Sequence, residues 1–161
     1  MRDGDGFATF YGRRRVEVHA AVAVTLGDRQ LAVEAVDEAF VRAAERWHEV
    51  SRMERPAGWV YRVAVNWATS WRRKWSRRPT LPVEVLDRSH HDDRSTVMLL
   101  EGLSRLPLAQ RQMLVLRFVL GYSVAETAAA LGVAEGTVKS GVHRARRQLG
   151  EDEEEAIDVG R

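Results

Sequence analysis

Thr137, Lys139, Ser140, His143, Arg144, Arg146 and Arg147 fall inside one short stretch, GTVKSGVHRARRQL, residues 136–149. Hydroxyls, an imidazole and cations can donate to phosphates and to base edges, so this set is suited to recognition rather than bond breaking. Val138, Val142, Ala145 and Leu149 recur at spacings of four, three and four. A helix packed down on them would turn the polar set outward. A solvated basic face is the competing reading. Gly141 stands out in the middle, because glycine costs a helix interior about 1 kcal/mol relative to alanine.

A second set lies in RPAGWVYRVAVNWATSWRRKWSRR, residues 55–78. Cations along a backbone and flat groups against bases are what single-stranded nucleic acid needs. Trp59, Tyr61, Arg62, Asn66, Ser70, Arg72, Arg73 and Arg77 supply both kinds. Val60, Val63, Ala64, Trp67 and Trp71 form an apolar stripe expected to face a core. Tyr61, Arg62, Asn66, Thr69, Ser70, Arg72 and Arg73 are expected to point away from it. No catalytic constellation accompanies these sets. His90, His91, Asp92 and Asp93 adjoin one another without ligand spacing on a helix, so no metal site is expected. No phosphate-binding loop or dinucleotide fingerprint is present, so no cofactor and no enzyme activity are expected.

The elements that must carry these residues read as helices. Ala32, Val36, Ala39, Phe40, Ala43 and Trp47 share a face at spacings of three and four. Residues 7–26 are helix-compatible, with Gly27-Asp28 as a stop. Ser123-Val-Ala-Glu126 is a capping-box signature, and Gly132 ends the short helix that follows. With the basic stretch behind it, this is the layout of a helix-turn-helix. Pro107 suits a helix start, and the helix after it should run to about Leu120, ended by Gly121. No alternating segment bounded by hairpin turns appears, so no strand is expected. The fold class is all-α: two small helical domains, 1–78 and 96–150, joined by a flexible linker, 79–95, and followed by an acidic tail, 151–161.

Charge follows the same division. Residues 1–78 carry +5, residues 79–95 carry −2, residues 96–150 carry +4 and the tail carries −5, within a net charge of +2. Basic blocks favour a polyanion. The 161 residues include no cysteine, and no apolar run is long enough to span a membrane. The first ten residues lack the apolar region of a signal peptide. A cytoplasmic location and no membrane insertion are expected.

LSRLPLAQRQMLVLRFVLGYSVAETAAALGVAEGTVKSGVHRARRQL, residues 103–149, resembles region 4 of the sigma-70 superfamily. AVEAVDEAFVRAAERW, residues 32–47, with residues 55–78, resembles region 2. The pair in this order resembles the extracytoplasmic-function (ECF, group 4) sigma factors. The resemblance implies a protein that binds core RNA polymerase at its clamp helices and flap, recognises promoter DNA as duplex and as melted strands, and starts transcription. It implies −35 reading by Thr137, Lys139, Ser140, His143, Arg144, Arg146 and Arg147, with Arg146 nearer the packed side. It implies −10 binding by Trp59, Tyr61, Arg62, Asn66, Ser70, Arg72, Arg73 and Arg77. It implies polymerase contacts by Glu34, Asp37, Glu38 and Phe40. An anti-sigma factor is a further partner that the family implies.

The chain departs from the family pattern in two places, the docking motif and position 141. The acidic docking motif is partly replaced, with Val33 and Ala35 inside it. Gly141 stands where relatives usually carry arginine, so Gly141→Arg is expected to restore a phosphate contact. The alternatives are a stand-alone helix-turn-helix regulator, which leaves WRRKWSRR unexplained, and a degenerate sigma-like interaction protein.

Overall fold

The computed structural model describes residues 3–75 and 94–150, and side chains over 4–75 and 98–150. Every regular element among the described residues is helical. The linker expected at 79–95, apart from its last two residues, and the acidic tail lie outside the described residues, as does Arg77. The chain divides into two compact units, Met1–Asp87 and Arg88–Arg161.

In the first unit α1 (Asp3–Leu26), α2 (Arg29–Glu45) and α4 (Pro56–Trp75) pack on one another, with the single turn α3 (Trp47–Val50) between. Gly27 ends α1 at a φ of 62°, a conformation that glycine adopts without steric cost. Asp28 then caps α2, its carboxylate accepting from the Leu31 amide at 2.9 Å. The seam is made of small residues. Ala32, Ala35, Ala39 and Ala43 of α2, and Ala57, Ala64 and Ala68 of α4, are all buried. Short side chains let helix axes approach closely, and Val18, Val22, Val36, Val60 and Val65 fill what remains. Rings of Phe7, Phe10, Tyr11, Phe40 and Trp47 close one end, with Phe10 and Trp47 centroids 5.1 Å apart.

Two polar ties cross this bundle. The Tyr61 hydroxyl lies 2.7 Å from the Thr25 hydroxyl, both fully buried. Thr25 gives its only proton to the Ala21 carbonyl at 2.8 Å, so Tyr61 is the donor to Thr25. Arg72 donates to the Leu26 carbonyl at 3.0 Å and lies 3.7 Å from the Asp28 carboxylate. It thereby satisfies an end carbonyl of α1.

In the second unit α5 (Arg94–Arg105) is followed by α6 (Leu108–Leu114), which opens after Pro107 and runs on as a π-helical turn, Val115–Val119. The wider turn is seen in the Leu120 amide donating back to the Val115 carbonyl at 3.0 Å. Gly121 leaves it at a φ of 69°. Ser123 caps α7 (Val124–Leu131), and both bonds of the capping box form: Glu126 amide to Ser123 Oγ at 3.0 Å, Ser123 amide to Glu126 carboxylate at 3.2 Å. Gly132 turns the chain at a φ of 67° into α8 (Glu135–Leu149). Leu103, Leu106, Met113, Leu114, Leu116, Tyr122, Ala128, Val138 and Ala145 form the core.

Gly141 does not face outward. It is buried where α8 crosses α6, and a Cβ placed on it would lie 2.2 Å from the sulfur of Met113. The expectation that Gly141→Arg restores a phosphate contact is therefore corrected: the glycine admits the Met113 thioether between two helices. The helix accepts a propensity cost of about 1 kcal/mol for that close approach.

Two outcomes are expected. In Met113→Ala, adding Gly141→Ala should stabilise the fold by about 1 kcal/mol, the propensity difference. With Met113 in place that gain should shrink or reverse, because overpacking costs about 1–3 kcal/mol. Thermal or denaturant unfolding of the four variants measures the coupling; additive effects would place Gly141 outside the contact. Tyr61→Phe should cost about 1 kcal/mol of stability and leave DNA binding unchanged, as measured by unfolding and by titration with promoter DNA.

Candidate nucleic-acid interface

Helix α8 is fixed from beneath. Val138 and Ala145 of α8 are fully buried, and Leu149 is half-buried, close to Gly102 of α5. With about 100° between successive residues of a helix, anchoring Val138 and Ala145 turns Gly136, Lys139, Ser140, His143 and Arg147 to the far side. All five are exposed, as are Thr137 and Arg144 on the flank toward α6. The Ser140 hydroxyl donates to the Gly136 carbonyl at 2.9 Å. Its oxygen is left to accept from a base donor, unless the hydroxyl rotates.

Arg146 is placed differently from the rest. It is half-buried, with its guanidinium 5.0 Å from the centroid of the Phe118 ring. Arg117 approaches the same ring at 5.5 Å and donates to the Tyr122 carbonyl. A guanidinium over an aromatic face is held by the ring quadrupole. Arg146 thus lies on the flank where the sequence put it, toward the packed side, and it steadies the π-helical turn against α8.

On α4 the candidates separate. Arg62, Asn66, Ser70 and Arg73 are exposed at spacings of four, four and three, which puts them on one face. Trp59 is half-buried on the same side. Tyr61 and Arg72 do not join them. Tyr61 lies on the buried face and is spent on Thr25, so its expected outward position is corrected. Arg72 folds back onto the end of α1, so it too is corrected from a free cation to a tie between helices.

Trp71 was expected in the core and is 40% exposed; Trp75 is 48% exposed. Their rings lie 6.1 Å apart at 30°, a tilted stack. The reason is length: the apolar stripe of α4 runs on after Ala68, the last fully buried position, and the tryptophans continue it past the bundle. An apolar stripe in a sequence does not reveal how far its cover extends.

On α2, Glu34 and Asp37 are exposed, and Glu38 is partly exposed with its carboxylate 2.9 Å from Arg42. Val33 and Val41 flank them and are also exposed, Val41 at 55%. Phe40 is 3% exposed and packs among Phe7, Phe10 and Tyr11, so its expected polymerase contact is corrected to a core role. His19 of α1 has a pKa held below its ordinary value of 6.5 by burial first, then by Arg29 and Arg15, with Asp37 opposing. Among the described residues no cluster of three or more His, Asp or Glu could hold a metal ion, and His90, His91, Asp92 and Asp93 lie outside them. No helix of the described residues is long and apolar enough to cross a membrane.

This geometry meets the known proteins at both ends of the chain. Residues 96–149 match the family model for sigma-70, region 4. The ECF RNA polymerase sigma factor SigM of Mycobacterium tuberculosis is 32% identical over 151 residues, covering 91% of this chain and 76% of SigM. SigL, an ECF RNA polymerase sigma factor of the same species, is 33% identical over 153 residues, covering 85% of each chain. The sigma factor RpoE of Bartonella quintana, solved in complex with the anti-sigma factor NepR, superposes with a TM-score of 0.67 over 89% of this chain and 95% of that one. At 23% identity that likeness is one of fold. The outward polar face of α8 therefore lies within a sigma-70 region 4, and the chain belongs to the ECF sigma factors of the sigma-70 family.

Proposed function

We propose that the chain binds core RNA polymerase, reads a −35 element with α8, holds a melted −10 element beside α4, and so starts transcription at its own set of promoters. One observation carries the residue assignment. On α8 the residues able to meet a base or a phosphate are exposed, while Val138, Gly141 and Ala145 are buried. In this reading Ser140 and His143 face base edges, and Lys139, Arg144 and Arg147 meet the flanking backbone. Thr137 stands at the start of the same face. Arg146 braces the helix through Phe118.

On α4, Arg62, Asn66, Ser70 and Arg73 make the −10-facing strip, with Trp59 beside it. Glu34, Asp37 and Glu38 of α2, bordered by Val33 and Val41, make the polymerase-facing strip. An acidic strip with apolar margins suits a basic or mixed helical surface. The polymerase contacts fall on the clamp helices and the flap. An anti-sigma factor is a further partner, as one is for the Bartonella relative. The protein acts in the cytoplasm, at the nucleoid. Its side chains position and capture DNA without making or breaking bonds. A stand-alone helix-turn-helix regulator would use α8 but give the exposed strips of α2 and α4 no task.

Two measurements check this. Purified chain added to core polymerase should produce promoter-specific run-off transcripts from DNA upstream of its own gene, and Asp37→Arg should reduce them by weakening assembly. Folded chain that neither binds core nor yields a transcript would overturn the reading. Ser140→Ala and His143→Ala should each lower discrimination between promoter and scrambled −35 sequences by about 1–3 kcal/mol, where a base contact is lost. Lys139→Ala should instead weaken binding to every sequence alike and flatten its salt dependence.

A further inference from the structure

Five acidic residues in a row, Glu151 to Glu155, follow α8 directly, within a stretch, 151–161, that carries −5. They lie outside the described residues, but the helix they follow does not. α8 contains four lysine and arginine residues and one carboxylate, Glu135, in its first turn. Lys139, His143, Arg144 and Arg147 are exposed. Among the described residues no carboxylate pairs with Lys139 or Arg144. The end of α8 that the acids follow is the negative end of its dipole, which disfavours carboxylates there. Five of them in sequence also repel one another. Cations within reach relieve both costs, and α8 presents a row of them.

The lengths agree as well as the charges. Gly150 closes α8 at a φ of 75°, with its amide donating to the Arg147 carbonyl at 3.1 Å. A left-handed residue at this point takes the chain off the helix axis. Arg147 and Lys139 lie about 5 and 17 Å back along that axis, at about 1.5 Å per residue. Five residues drawn out span up to about 17 Å. We propose that the outward face of α8 is a binding surface for an acidic peptide, and that residues 151–155 of the same chain occupy it when no DNA is present. Exposed ion pairs are individually weak, so a duplex, with its denser charge, displaces the peptide. The free chain is thereby kept from binding DNA through its basic helix. The contact itself does not require that α8 read DNA; its effect on promoter binding rests on that reading.

The chain has two lysines, Lys139 on α8 and Lys74 on α4, both exposed, so each unit carries its own reporter. The test is brief acylation of the free full-length chain with an amine-reactive ester, read by mass spectrometry as the ratio of Lys139 to Lys74 modification. Replacing the five acids together (Glu151→Gln, Asp152→Asn, Glu153→Gln, Glu154→Gln, Glu155→Gln) should raise that ratio by about 2- to 5-fold, the range that weak exposed pairs convert to. The wild-type ratio should rise likewise in 1 M salt, where the screening length is about 3 Å. Should the substituted chain not fold, one stopped after Gly150 gives the same readout. An unchanged ratio, or release of Lys74 instead, would overturn the proposal. Protection of Lys139 that fades on dilution would assign the peptide to a second copy and overturn its origin in the same chain. In titrations with a −35 duplex, the neutralised chain should bind about 2- to 5-fold tighter at low salt and equally at high salt. Equal affinity at low salt, with Lys139 released, would overturn the competition with DNA. Ser140→Ala and His143→Ala separate the two levels: if they leave sequence preference unchanged while Lys139 is protected, the reading of α8 fails and the peptide contact stands.

Discussion

The second unit depends on a contact with no polar atom in it, the seating of the Met113 thioether against Gly141. Helix faces are set by what each helix buries. With Val138, Gly141 and Ala145 turned inward, the side chains that can meet DNA have one available direction. A larger residue at 141 would have to displace Met113 or tilt α8. Sulfur on a flexible stem tolerates an irregular gap better than a branched side chain would. The capping box at Ser123 and the left-handed Gly132 hold α7 at its place in the chain, and α8 follows from that turn. The outward face of α8 is thus set by packing.

The first unit solves a related problem with alanines and two polar ties. Its helices approach through small side chains, which give little area per residue, so Tyr61 and Arg72 supply connections that the alanines cannot. Tyr61 fixes α4 to α1 from inside, through Thr25. Arg72 fixes the same pair near the end of the bundle, through the Leu26 carbonyl. Both residues could have served DNA, and the fold uses them instead. What remains outward on α4 is a narrower strip, ending near an exposed tryptophan pair.

Much of this was legible in the sequence. The helical spacings, the capping box and the glycine stops state local rules that the chain obeys, and each lies close to where its signal stands. Arg94 opens α5 two residues before the expected Thr96, and the helix ending at Leu120 finishes as a π-helical turn, shifts that spacing alone does not report. The outward set on α8 followed from Val138 and Ala145 because one buried face determines its opposite. Gly141, Tyr61 and Trp71 were read on the wrong side for a common reason. Each lies where only a neighbouring helix decides, through Met113, Thr25, or the length of the bundle. Spacing along one helix carries no record of where its partners end.

The central claim is that two exposed strips on separate units act on one promoter. Hydroxyl-radical footprinting of the assembled holoenzyme tests it most directly. The account predicts two separate protected patches, with the upstream patch alone lost when Ser140, His143 and Arg144 are replaced by alanine. A single continuous patch, or loss of both patches in that variant, would contradict it.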